Sequence, residues 1–328
     1  MDAEGSTYEG SFYCAGYAKG GSITIDNNVG FAMEAGTLSA SASGCGVFLG
    51  AFADNAATVT GDLSAVISGG RVGNLFGGGF AQNGGSFTGG DVSITVSGGE
   101  VGMIVGGGSH VNNSVSYGTT TVKSVSITVS GGSVGKIFAG GHFKGDGTDG
   151  YYGSDTVDGN ATVTLTGNAE IGYAAGSWRG IDTVTEGHNR ILVLDDYTGT
   201  CGTISDFDLV TVDNNTTAAF TAASAVKSWS FDGRERGDDS VLLNIGSVDF
   251  KETSAVDLRV ASGDAGSITE WSLATGAQSL TGVSFNLYFG SESVTGLSLG
   301  QQIGSGDFAG YGFTVDADST LKFAKLSA

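Results

Sequence analysis

A glycine-punctuated unit recurs four times between Gly61 and Gly176, and it restricts the chain to folds in which like segments stack on one another. Its clearest copy is residues 90–108, GDVSITVSGGEVGMIVGGG. Residues 61–79 precede it as GDLSAVISGGRVGNLFGGG, and residues 124–141 follow it as SVSITVSGGSVGKIFAGG. A worn fourth copy, NATVTLTGNAEIGYAAG, runs from Asn160 to Gly176. Residues 12–20, FYCAGYAKG, resemble residues 137–145, IFAGGHFKG, so an earlier and more degenerate copy is expected near the start. From Gly69 to Gly98 the step is 29 residues, then 33 to Gly131 and 36 to Gly167. A constant body with a drifting period places the insertions in loops outside that body.

Each unit reads as two strands. In the first, Leu63/Ala65/Ile67, Val92/Ile94/Val96, Val125/Ile127/Val129 and Ala161/Val163/Leu165 alternate with Ser and Thr. That period of two gives an apolar inner face and an outer face of aligned hydroxyls. The glycine pair that follows supplies a corner where a side chain would resist. The second strand, Val72 to Phe76 and its equivalents, is apolar on both faces and so calls for cover on both sides. At one of its positions Asn74, Met103, Lys136 and Tyr173 replace one another, which excludes a repeated ligand column there.

Stacking such units buries what one alone cannot. The expectation is an all-β chain: a Gly-rich β-solenoid over 1–185, read as a right-handed parallel β-helix, with a meander of hairpins as the alternative. Closing strands then occupy a junction at 186–228. A small antiparallel, β-sandwich-like module fills 229–328, from regularly spaced strands and turn signals. One turn of helix has a place at Ala222–Lys227.

Composition narrows the partners. Acidic residues outnumber basic ones 34 to 14, a formal charge of −20, and the longest basic cluster is Arg234-Glu235-Arg236. A phosphate-tracking groove needs aligned cations, so no nucleic acid partner is expected. No run of about twenty apolar residues exists, so no membrane insertion is expected. Cys14, Cys45 and Cys201 have neither metal-ligand nor CxxC spacing. Cys14 and Cys45 stand about one repeat apart, within reach of each other if repeats stack; the alternative is that all three are small buried side chains.

The unit [VI]-[ST]-[VI]-SGG-x-VG-x-[IV]-[FV]-x-GG resembles the Gly-rich passenger repeats of secreted bacterial surface proteins, and more narrowly the autotransporter-like, PEP-CTERM-sorted proteins of mucin-living gut bacteria. In this chain RILVLDDYTGTCGTISDFD (190–208) follows the repeats and TLKFAKL (320–326) ends the terminal module. The resemblance implies a secreted or outer-surface location, with a signal and a sorting tail trimmed from this chain, and mucin or other host glycans as partners. It specifies an architecture and no reaction.

Candidates for chemistry are few. His110, His142 and His188 are the only histidines. The first two sit one residue out of register, which on strands turns them to opposite faces and argues against a shared metal. His188, with Asp182 and Glu186, lies in the loop DTVTEGH, where function often resides. Carboxylate pairs are the enzymatic alternative, because two that share a site split their pKa values and suit an acid protease or glycosidase. Asp155-Thr156-Val157 and Asp182-Thr183-Val184 begin like the aspartic-protease motif but carry Val where that motif has Gly. Asp195 and Asp196 are adjacent and alternate faces on a strand. The turn GDGTDG, with Asp146 and Asp149, is a weak Ca²⁺ candidate, and no other cofactor is expected. Tyr151, Tyr152, Tyr173 and Trp178 gather in and after the longest insertion and suit stacking on sugar rings.

Three functions follow as expectations. The first is display of loops for adhesion to mucin or glycans. The second is a mucin-degrading acid hydrolase. The third is a structural, self-associating surface-layer component, since stacked repeats end in unpaired strand edges.

Overall fold

The computed structural model describes residues 7–9, 11–39, 46–110, 118–142, 144–146, 152–178, 183–213, 216–236, 240–261, 263 and 267–327. The chain is all-β, with no helix among these residues and mostly parallel sheets. It forms two compact units. The first comprises Met1–Thr164 and Ala169–Ile191, the second Leu165–Asn168 and Leu192–Ala328.

In the first unit the hydroxyl-bearing strands Leu63–Ile67, Val92–Val96 and Val125–Val129, with the hydroxyl-free Val29–Met33 beside Leu63–Ile67, lie parallel and in register. Leu63, Ile94, Val96, Ile127 and Val129 are buried, while Ser93 and Ser126, neighbours in the ladder, face solvent. Full burial of each such aliphatic stabilises the unit by about 1.5–3 kcal/mol. The second strands Arg71–Phe76, Glu100–Val105, Ser133–Phe138 and Glu170–Ala175 form another parallel ladder. Parallel pairing between repeats rules out the hairpin meander for this unit.

Each repeat supplies more than the two expected strands. Gly16–Ala18, Ala51–Ala53, Phe80–Ala81 and Ser109–His110 build a third parallel ladder. Ile23–Ile25, Ala56–Val59, Ser86–Thr88, Thr119–Val122 and Tyr152–Val157 build a fourth. Several of these strands are two or three residues long, too short to show a period. The corner between first and second strands requires glycine. Gly99 has φ +77°, and a Cβ there would come within 2.6 Å of the Gly70 carbonyl oxygen one repeat away.

The second unit keeps parallel stacking further than expected. Leu209–Asp213, Ser228–Asp232, Ala255–Val260 and Ser284–Phe289 pair in parallel, as do Thr200–Ser205 and Ala219–Ser224. Among its described residues, antiparallel pairing is confined to Glu292–Leu297 on Ser284–Phe289 and to the sheet of Glu270–Ala274, Leu321–Lys325 and Tyr311–Val315. The parallel strands here carry no Gly-Gly signature, so their stacking was masked in the sequence. The helical turn at Ala222–Lys227 does not form: strand Ala219–Ser224 runs into a bend at Ala225, whose φ is +52°. Trp229, Phe231, Phe250, Trp271, Phe285 and Phe313 fill this unit's core.

Cys14 and Cys201 are free thiols. Burial pushes both up to about 12, so neither is a nucleophile at neutral pH. Cys45 lies outside the described residues.

Candidate functional site

The apolar second strand finds its outer cover in an aromatic seam. Along residues 75–81 the core side is marked by Leu75, which is buried, and by Gly77 and Gly79, where a Cβ would strike Val92 and Phe87 respectively. Alternation therefore sends Phe76 and Phe80 to the opposite side, yet only 0 % and 6 % of their surfaces are exposed.

Equivalent rings stack repeat upon repeat. The Phe48 and Phe76 ring centroids lie 4.3 Å apart with the planes nearly parallel at 5°, and the Tyr13 ring lies 5.1 Å from Phe48. A second column places Tyr17 4.1 Å from Phe52 and Phe52 5.8 Å from Phe80. The columns meet edge to face, as between Phe48 and Phe80 at 5.3 Å, a favoured geometry for the ring quadrupoles. In the next repeat Val105 and Ser109 interrupt both columns. Phe138 and His142 resume them. The His142 ring approaches Phe76 edge-on at 6.0 Å, and its Nδ1 is 3.1 Å from Ser109 Oγ. Trp178 then packs 4.4 Å from both Phe138 and His142, with Tyr173 5.7 Å from Phe138. Tyr13, Met103, His142, Tyr173 and Trp178 keep part of their surface open. Flat, partly open aromatic faces beside an imidazole suit stacking on a sugar ring.

A second cluster belongs to the second unit. Val212 pairs with Phe231, so Asp213 and Asp232, the last residues of their strands, are ladder neighbours. Burial, then the charges of Asp232 and Asp195, raise the Asp213 carboxyl above its ordinary value. Burial also pulls Asp232 upward, but Arg234 overrides it and holds that carboxyl below its ordinary value. Arg234 Nε donates to both Asp232 oxygens at 2.9 and 3.1 Å, Nη2 donates to Oδ2, and the Arg234 amide donates to Oδ1 at 3.1 Å. On the next strand Arg259 lies beside Asp232, its guanidinium 5.2 Å from the Tyr288 ring centroid.

The structure scatters the carboxylates singled out from sequence. Asp155 is fully buried and accepts a hydrogen bond from Thr120 Oγ1 at 2.7 Å. Glu186 and His188 are exposed in a turn, where the His188 amide donates to the Thr185 carbonyl at 3.1 Å. Asp195 adds its charge to the Asp213 cluster, and Asp196 is exposed at φ +48°. Asp182, Tyr151 and Asp149 lie outside the described residues. Asp146 and Tyr152 are placed only as backbone, on the antiparallel strands Lys144–Asp146 and Tyr152–Val157. Among the described residues no three His, Cys, Asp or Glu side chains gather to hold a metal. The His142 ring lies against the Ser109 hydroxyl, and His110 is placed only as backbone, on the strand Ser109–His110.

Sequence reasoning missed the seam and the Asp213–Asp232 pair. An open cavity in the second unit, lined by Leu280, Val283, Leu297, Leu299 and Val315 among others, carries no ionisable side chain. The chain matches no known family model, no curated protein and no solved structure.

Proposed function

We propose that the chain is a right-handed parallel β-solenoid, secreted or held at a cell surface, that adheres to mucin-type glycans without catalysing a reaction on them. One observation carries this reading: an aromatic seam on the side of the strands away from the core, partly open at Tyr173, His142 and Trp178, with Ser109 supporting the imidazole. Neutral hexose or N-acetylhexosamine rings suit it best, because a chain of charge −20 repels sialylated and sulfated termini. A glycan array with mucin pull-down tests the reading. Binding to neutral glycans that falls at least about tenfold in Trp178→Ala supports it, and a blank array overturns it.

A second reading, an acid hydrolase of mucin, is favoured by Asp213 and Asp232, neighbouring carboxyls displaced in opposite directions as an acid and its partner are. Incubation with mucin from pH 3 to 7 separates the two. Cleavage abolished by Asp213→Asn establishes hydrolysis, and intact mucin removes it.

A further inference from the structure

Among the described residues, four sheets of the first unit end on strands with a neighbour on one side alone. Val29–Met33, Ile23–Ile25, Gly16–Ala18 and Thr7–Glu9 are each the last strand of their sheet. The side chains there that face the core are incompletely covered. Ile23, Ile25, Val29 and Phe31 are half-buried, whereas their ladder partners Ala57, Val59, Leu63 and Ala65 are at most 1 % exposed. Phe12, 38 % exposed, packs 6.2 Å from Phe31 and widens the apolar surface. Exposed strand edges are normally blunted by charge, proline or a bulge. Gly16–Ala18, Ile23–Ile25 and Val29–Met33 carry neither charge nor proline.

We infer that this edge is an interface with a second copy of the chain, in which Val29–Met33 pairs antiparallel with itself about a twofold axis through Phe31. The backbone is already self-complementary. The Val29 amide and the Met33 carbonyl are bonded to Asp62 and Ser68 on the neighbouring strand. The alternation of a strand therefore aims the amides and carbonyls of Gly30 and Ala32 away from it. Under the twofold, Gly30 of one copy faces Ala32 of the other, and each exchanges both hydrogen bonds with its opposite. Val29 meets Met33, Phe31 meets Phe31, and their apolar side chains complete one another's cover. Glu34 falls opposite Asn28, so no two carboxylates confront each other across the strand pair.

The second unit does not offer a matching edge. Its Ser284–Phe289 strand is followed by antiparallel Glu292–Leu297, which carries Glu292, a register shift between Phe285 and Leu287, and Gly296 at φ +74°. Those are the features that stop further pairing. In this sheet, one open edge and one blunted edge give a closed dimer, not a fibre.

The test is the solution mass of the full chain over a hundredfold concentration range, beside Ala32→Pro and Ala32→Lys. Residue 32 is exposed and its amide points away from the neighbouring strand, so both variants keep the internal ladder. Expected are twice the 32.8 kDa chain mass for the wild type at high concentration, the single mass for both variants with unchanged circular dichroism, and slowed exchange of the Gly30 and Ala32 amides in the dimer. A wild type that stays at 32.8 kDa, one that grows beyond a dimer, or one whose dimer survives both substitutions overturns the inference.

Discussion

Asp213 and Asp232 differ in one neighbour, and that difference sets opposite pH dependences. Asp213, raised by burial and by the carboxylates around it, holds its proton more tightly in the folded chain than in the unfolded one. Its contribution to stability is complete below the ordinary carboxylate value and is lost as pH rises through the folded value. Asp232, held low by Arg234, contributes above the ordinary value and loses that contribution as pH falls through its folded value. Asp213→Asn is therefore expected to raise the unfolding temperature at pH 7, by about 1–3 °C, since the removed repulsion is of the order of a surface ion pair. The gain should vanish near pH 3, where both forms are neutral, as thermal melts across pH will show. The same melts should find Asp232→Asn less stable than wild type at pH 7. Neither residue stands out in the sequence. Their adjacency depends on the pairing of Val212 with Phe231, and no glycine pair marks that step.

At the scale of elements, the strands that alternate apolar and hydroxyl residues were legible because period two survives in every copy from Leu63 to Leu165. The glycine corners were legible for the same reason. Gly99→Val is expected to cost about 2–4 kcal/mol, through a β-branched side chain at positive φ and a collision with the Gly70 carbonyl. A lower urea midpoint with an unchanged slope would report it. Short strands such as Phe80–Ala81 and Ser86–Thr88 were not legible, because two or three residues carry no period. The seam was hidden for a different reason. Phe76 and Phe80 read as ordinary core residues until Gly77 and Gly79 show which side of the strand faces the core. Parallel pairing at Val256–Val260 was likewise obscured, since turn signals on either side fit an antiparallel module equally well.

For the whole molecule, a charge of −20 and an aromatic seam pull in different directions. A charge of that size disfavours anionic surfaces, so the adhesion proposed above would rest on apolar stacking against neutral rings. No helix among the described residues is long and apolar enough to cross a membrane. The parallel strands stack repeat on repeat, and the glycan-binding reading proposed above places the ligand at the partly open end of the seam. Titration calorimetry of the full chain and of Trp178→Ala against the same neutral mucin-type oligosaccharide addresses that directly. Saturable binding by the wild type is expected, with a loss of at least about tenfold in the variant, worth about 1.4 kcal/mol. Equal affinities in the two proteins, or no heat with either, would contradict it.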